Sequence, residues 1–143
     1  MDEIKTKHYH LWRENDVLVA VVKGQYDFIA TQAYCRNFKT IAAPLINAPW
    51  GHITYLDEWD LATPDCIQLI AQLENWCKSN RLACDALVYR ASGIKDFVLS
   101  AAMATSKNPD VYQHFEYSAD ALNWLREKGF NPTSHTLSPL KCA

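Results

Sequence analysis

The chain has 143 residues, 49% of them apolar, and a formal net charge of −2. That size and apolar content suit one domain with an ordinary hydrophobic core and exclude a disordered chain. No apolar run approaches the roughly 18 residues of a membrane span, and the fourteen basic residues are scattered rather than clustered as a nucleic-acid surface requires. The charged start, Met1-Asp2-Glu3-Ile4-Lys5, has no apolar stretch of the kind a signal peptide carries, so the expected location is cytoplasmic. Five cysteines, odd in number and without a Cys-x-x-Cys pair, are expected as reduced thiols; Cys35, Cys66 and Cys77 fall on apolar helical stripes.

His8 to Glu14 alternates weakly, and Asn15-Asp16 then tolerates the left-handed angles of a tight turn. Val17 to Val22 is apolar on both faces, as in a strand covered on both sides. The two predict an opening hairpin with a polar edge. After Gly24-Gln25-Tyr26-Asp27, the residues Thr31, Tyr34, Cys35, Phe38, Ile41, Ala42 and Leu45 form one helical stripe, which Pro44 shortens or kinks and Asn47-Ala48-Pro49 closes. Gly51 to Leu56 reads as the next strand. Thr63 as N-cap, Pro64 at the first helical position and Asp65 facing the dipole then open a helix whose inner face is Cys66, Leu69, Ile70, Leu73, Trp76 and Cys77. Ala86 to Tyr89 is a short apolar strand, followed from Ser92 or Gly93 by a helix with the stripe Ile94, Phe97, Val98, Ala101 and Thr105. Val111, Gln113, Phe115 and Tyr117 share one face of a last strand. Ser118 caps the helix Ala119 to Lys128, and Gly129 ends it.

The predicted order is ββαβαβαβα, an α/β domain over residues 1–130 with a tail at 131–143. Alternating strands and helices require crossovers, hence a mostly parallel sheet of about five strands with an antiparallel edge hairpin.

That order, the Trp12…Val17–Gly24 segment, the Leu56-Asp57 strand end and Ala121-x-x-Trp124-Leu125 resemble the anti-sigma-factor-antagonist (STAS) superfamily, including its stand-alone SpoIIAA-like bacterial members. The likeness runs from Tyr9 to Phe130. It implies a regulatory domain that binds a protein partner, needs no cofactor and, in typical members, is switched by phosphorylation of a serine in an Asp-Ser-Ser-Gly motif. Leu56-Asp57 matches the strand end before that motif. Ala62-Thr63-Pro64-Asp65 replaces the motif itself, leaving Thr63 as the one phosphoacceptor the resemblance allows.

In open parallel sheets, ligands bind beyond the carboxyl ends of the strands. Those ends carry Gln25-Tyr26-Asp27, Asp57-Glu58-Trp59-Asp60, Arg90-Ala91-Ser92-Gly93 and Glu116-Tyr117-Ser118. Asp57, Glu58 and Asp60 crowd three carboxylates into the stretch between Lys39 and Lys78, which has no Lys or Arg. Three carboxylates together suit a basic partner patch, a hard cation or acid–base work; the plainer alternative is a solvated turn in which Asp57 bonds backbone N–H groups. An exposed Trp59 would favour a protein surface. Ser92-Gly93 at a helix start, with Arg90 and Lys95 close by, could hold an anion or simply cap the turn. His8 and His10 point one way on a strand without a third metal ligand, and no nucleotide, zinc or serine-hydrolase motif is present. The expected function is a non-enzymatic, protein-binding module of the STAS-like type, acting through the acidic rim with Tyr26, Asp57–Asp60, Arg90 and Ser92. The alternative is a small-molecule or anion site, or a small enzyme, built on the same carboxylates. A third expectation is a homodimer through the polar edge strand or the tail.

Overall fold

The computed structural model describes residues 2–102 and 108–133. Thr105, Cys142 and the tail beyond Thr133 lie outside the described residues. The elements run β1 (Glu3–Lys5), β2 (Tyr9–Glu14), β3 (Val17–Val22), β4 (Gly24–Tyr26), α1 (Phe28–Ala42), β5 (Trp50–Tyr55), β6 (Trp59–Ala62), α2 (Cys66–Ser79), β7 (Leu82–Val88), α3 (Gly93–Ala102), β8 (Tyr112–Phe115) and α4 (Ser118–Glu127). A 3₁₀ turn, Ala43–Leu45, ends α1 at Pro44. The main sheet has six strands in the order β1-β2-β3-β5-β7-β8. The first two pairings are antiparallel, and β3, β5, β7 and β8 are mutually parallel.

Asn15 takes φ 55° in the hairpin turn, the left-handed angle Asn tolerates better than most residues. All six residues of β3 and all six of β5 are buried, because the sheet is covered on both faces. One face packs Leu18, Ala20 and Trp50 against Phe38 and Ile41 of α1 and Leu73 and Cys77 of α2, with Val98 and Leu99 of α3 beside them. The other packs Val17, Val19, Ile53 and Ala86 against Ala121, Leu122 and Leu125 of α4. Because the four parallel strands point one way, all four helices start at the same rim of the sheet.

Several boundaries depart from the sequence pattern. The main sheet has six strands rather than five because β1 adds a short outer edge. β4 and β6 form a separate two-stranded parallel sheet at the rim, invisible to periodicity because its strands have only three and four residues. β7 begins at Leu82, four residues before the apolar run, since it carries the charged Asp85. Ser118 is the first helical residue of α4 rather than its cap; its hydroxyl is engaged with Tyr55 Oη at 2.8 Å.

Thr63 is also not the expected cap. The residue flanking α2 is Asp65, with no side-chain capping bond, and the Thr63 hydroxyl donates to the Asp65 carboxylate instead of accepting from a backbone N–H. The Thr63 carbonyl, not its hydroxyl, takes the Cys66 N–H, at 2.9 Å. Pro64 and Asp65 form a tight turn ahead of the helix, which displaces the cap geometry.

Candidate functional site

The rim is largely occupied by its own structure. Asp57 Oδ1 accepts the Arg90 N–H at 2.8 Å, tying the end of β5 to the end of β7. Lys95 Nζ donates to the Leu56 carbonyl at 2.7 Å and the Asp57 carbonyl at 3.2 Å, so its charge closes this corner. Ser92 Oγ accepts the Lys95 N–H at 3.3 Å, the plain capped turn that the sequence left as one alternative. Asp27 caps α1, accepting from the Ala30 N–H at 2.8 Å. Tyr26 is buried, its hydroxyl bonded to the His8 carbonyl, and burial pushes its pKa far up. Trp59 is only 5% exposed. It lies on β6 with its ring turned into the core, so it offers no surface anchor. Glu58 is half-buried; Asp60 and Arg90 are exposed. Among the described residues, the two cavities that Tyr26 lines do not include Asp57, Arg90 or Ser92.

A partly open cavity lies behind this rim. It measures about 90 Å³ and lies between the sheet and the helices α1, α2 and α3, walled by Val22, Tyr34, Leu56, Trp59, Leu87 and Leu99. Polar side chains in its lining include Thr31, His52, Thr54 and Glu74. His52 and Thr54 are two residues apart on β5 and therefore face the same side. His52 sits directly across from Asp85 of β7, which sits directly across from Tyr112 of β8. Thr54 Oγ1 lies 2.9 Å from His52 Nε2, and His52 Nδ1 comes within 3.1 Å of Asp85 Oδ1 without the geometry of a hydrogen bond. Glu74 comes down from α2 onto this row. Its pKa is raised well above the usual carboxylate range, first by burial and then by the charge of Asp85, with the Tyr112 hydroxyl acting the other way.

The order hydroxyl, imidazole, carboxylate matches that of a nucleophilic relay. Such a relay also needs donors placed for a developing oxyanion, and the wall around it is mainly aliphatic and aromatic. Sequence reasoning missed this row because the apolar run at Ala86 hid the start of β7. The available signal was polarity where the pattern demanded apolar residues: His52 and Thr54 inside β5, and Glu74 between Leu73 and Cys77 on the inner stripe of α2.

The described cysteines are free thiols. Burial pushes Cys35 up to about 11 and raises Cys77 further, with Glu74 adding to the latter. His10 is bonded to Glu3 and His8 packs edge-on against Tyr26; among the described residues no three His, Cys, Asp or Glu are grouped to hold a metal. No helix among the described residues is long and apolar enough to cross a membrane.

No protein-family model and no curated protein matches the sequence. Solved structures do match the fold. An uncharacterised DUF3478-family protein with a SpoIIAA-like fold from Shewanella loihica aligns over 85% of this chain and 98% of its own, at 16% identity and a TM-score of 0.62. An anti-sigma factor antagonist from Mycobacterium paratuberculosis aligns over 86% and 99%, at 14% identity and 0.59. The anti-sigma factor antagonist SpoIIAA in its unphosphorylated form aligns over 85% and 99%, at 10% identity and 0.57. The chain has the SpoIIAA-like fold.

Proposed function

We propose that this chain is a non-enzymatic regulatory module of the STAS type, which binds another protein through the rim where the parallel strands end and the helices begin. One observation carries the reading. The exposed large hydrophobic residues among those described are Phe28 (40%), Ile29 (75%), Ile94 (59%), Phe97 (71%) and Tyr117 (66%). All of them stand at helix starts on this rim: in the first turn of α1, the first two turns of α3 and just before α4. Scattered exposed apolar residues are ordinary, but their confinement to one edge marks an interaction surface. The exposed carboxylates Asp27, Asp60 and Asp65 lie on the same edge, so the fitting partner presents apolar side chains among Lys and Arg. Two of the solved structures that share the fold are anti-sigma factor antagonists, which makes protein regulation the natural use of such an edge.

Cross-linking or pull-down from the native cells tests this. The Ile29→Ser/Phe97→Ser double variant should lose the captured partner while keeping its thermal midpoint, and Asp60→Asn should weaken capture and flatten its salt dependence. Asp57 is unsuitable for the charge test, because neutralising it also releases the Arg90 N–H. A partner retained by all these variants would remove the rim as the interface.

Thr63 is exposed on this rim, and a phosphate there would lie against Asp65, adding like-charge repulsion rather than a new bond. The reading therefore places no switch on Thr63. Stoichiometric phosphate on it, seen by intact-mass measurement of protein from its own cells, would reverse that assignment.

A further inference from the structure

We propose that the cavity between the sheet and α1–α3 is a binding site for a small, uncharged, apolar molecule. This goes beyond the rim reading, which requires no ligand, and does not depend on it. The surface turned toward the cavity is almost wholly apolar, supplied by side chains such as Val22, Leu56, Trp59, Leu73, Leu87 and Leu99. Polar side chains in the lining are engaged with other groups of the protein. Thr31 Oγ1 donates to the Asp27 carbonyl at 2.8 Å, the Tyr26 hydroxyl bonds the His8 carbonyl, and Thr54 Oγ1 lies 2.9 Å from His52 Nε2. Glu74 keeps its proton within the buried group it forms with Asp85 and Tyr112, and no Lys or Arg stands in the wall. The cavity therefore faces its contents with carbon and without charge.

The sheet beneath it is incompletely covered. Leu87 lies across from Thr54 on β7, a strand with neighbours on both sides, yet it is only half-buried. Ile70 of α2 and Leu99 of α3, which join it in the wall, are half-buried as well. Ala86 and Val88, next to Leu87 in the chain but on the face covered by α4, are buried, so the gap belongs to one face of the sheet. Protein interiors are otherwise close-packed, because side chains around a gap forfeit the dispersion contacts they would make across it.

These facts sort the occupants. An ion would leave its charge unpaired among apolar walls, the costliest case. A lone water needs about two to four polar partners, which walls of this kind do not present. A neutral apolar molecule needs neither and restores the missing contacts. Size follows from volume: an engineered cavity of ~150 Å³ holds benzene, with six heavy atoms, so ~90 Å³ holds about four. Tyr26 and Ala62 line this cavity and also an outer depression at His8, Asp27 and Asp60, so the β4–β6 pair separates the two.

The test titrates the full chain with 1-chloropropane, with xenon under pressure, and with propylammonium chloride and sodium propionate as charged counterparts, sodium chloride being the salt control. Methyl and indole NMR shifts are read. 1-Chloropropane and xenon should give saturable shifts at the methyls of Leu56, Leu87 and Leu99 and at the Trp59 indole, each displacing the other. The Kd of 1-chloropropane should be no tighter than about 40 µM, the ceiling for four heavy atoms. Propylammonium and propionate should give no saturable shift at these residues. Ala62→Leu, which enlarges a wall side chain, should abolish the response to both neutral probes. Leu99→Ala widens the cavity and should admit benzene, which the native chain excludes; it keeps the test decisive if Ala62→Leu does not fold. Charged probes binding as tightly as 1-chloropropane, 1-chloropropane binding that survives Ala62→Leu, a Leu99→Ala chain that takes no benzene, or no saturable shift with either neutral probe would overturn the proposal and leave a gap in packing.

Discussion

Glu74 is the residue whose ionisation most directly couples to folding. Its raised pKa means that the folded chain keeps a proton which the unfolded chain releases above about pH 4.3. Its contribution to stability is thus complete below that pH and is lost as pH rises toward the folded value. The titratable groups that interact with it are Asp85, Tyr112, Cys77, Cys35 and Tyr34. Urea unfolding should therefore show lower stability at pH 8 than at pH 5, and Glu74→Gln, neutral throughout, should show a smaller drop. An identical drop in both would assign the slope to another group. The same burial governs the thiols: peptide-mapped iodoacetamide labelling at pH 7.5 should find Cys35 and Cys77 slow in the native chain and fast in urea, since little of either is thiolate. Thr63→Ala should cost less than about 0.5 kcal/mol, because the hydroxyl bonds an exposed carboxylate rather than a helix N–H; a loss near 1 kcal/mol by chemical denaturation would restore it as a cap.

Among the elements, Gly51 and Arg81 show how closely helix and strand meet. A Cβ on Gly51 would lie 3.3 Å from Leu125 Cδ2 and 3.4 Å from Phe130 Cγ, inside the contact between β5 and α4. Gly51→Ala should cost about 1–3 kcal/mol in thermal or urea unfolding. Arg81 follows the C-cap of α2 with φ 73°, a position that favours glycine. Arg81→Gly should raise stability by up to about 1 kcal/mol, less what is lost with the Arg81–Asn47 carbonyl bond. The elements legible in the sequence were those whose burial gave a clear period: β3, apolar on both faces, and α2, with its inner stripe. The β4–β6 pair was illegible because its strands are too short for alternation and one of its residues, Leu61, takes φ 76°, which no apolar pattern signals. The start of β7 was hidden because a fully buried Asp85 breaks the rule that a two-sided strand is apolar.

At the scale of the whole molecule, the sequence located the rim correctly, since topology alone places the strand ends together. It did not show the buried polar row behind that rim. Carboxylates crowded in a turn are conspicuous in sequence, yet Asp57 serves the backbone; the row of His52, Thr54, Asp85 and Glu74 is assembled across three elements and has no local spacing to betray it. This arrangement has a dynamic consequence. β3, β5 and β7 sit in the middle of the sheet, packed on both faces, and their amides can exchange only when the domain unfolds as a whole. The β4–β6 pair has no third strand, and two short strands alone are marginal in water. It should open in smaller fluctuations, and those openings would expose the cavity at Tyr26 and Ala62. Native-state hydrogen exchange is thus expected to show the amides of Thr63, bonded to the Tyr26 carbonyl, and Gly24, bonded to the Glu58 carbonyl, exchanging with a lower opening free energy and a shallower denaturant dependence than those of Val19 and Ile53. If the four amides exchange together at the global rate, the β4–β6 pair does not move on its own.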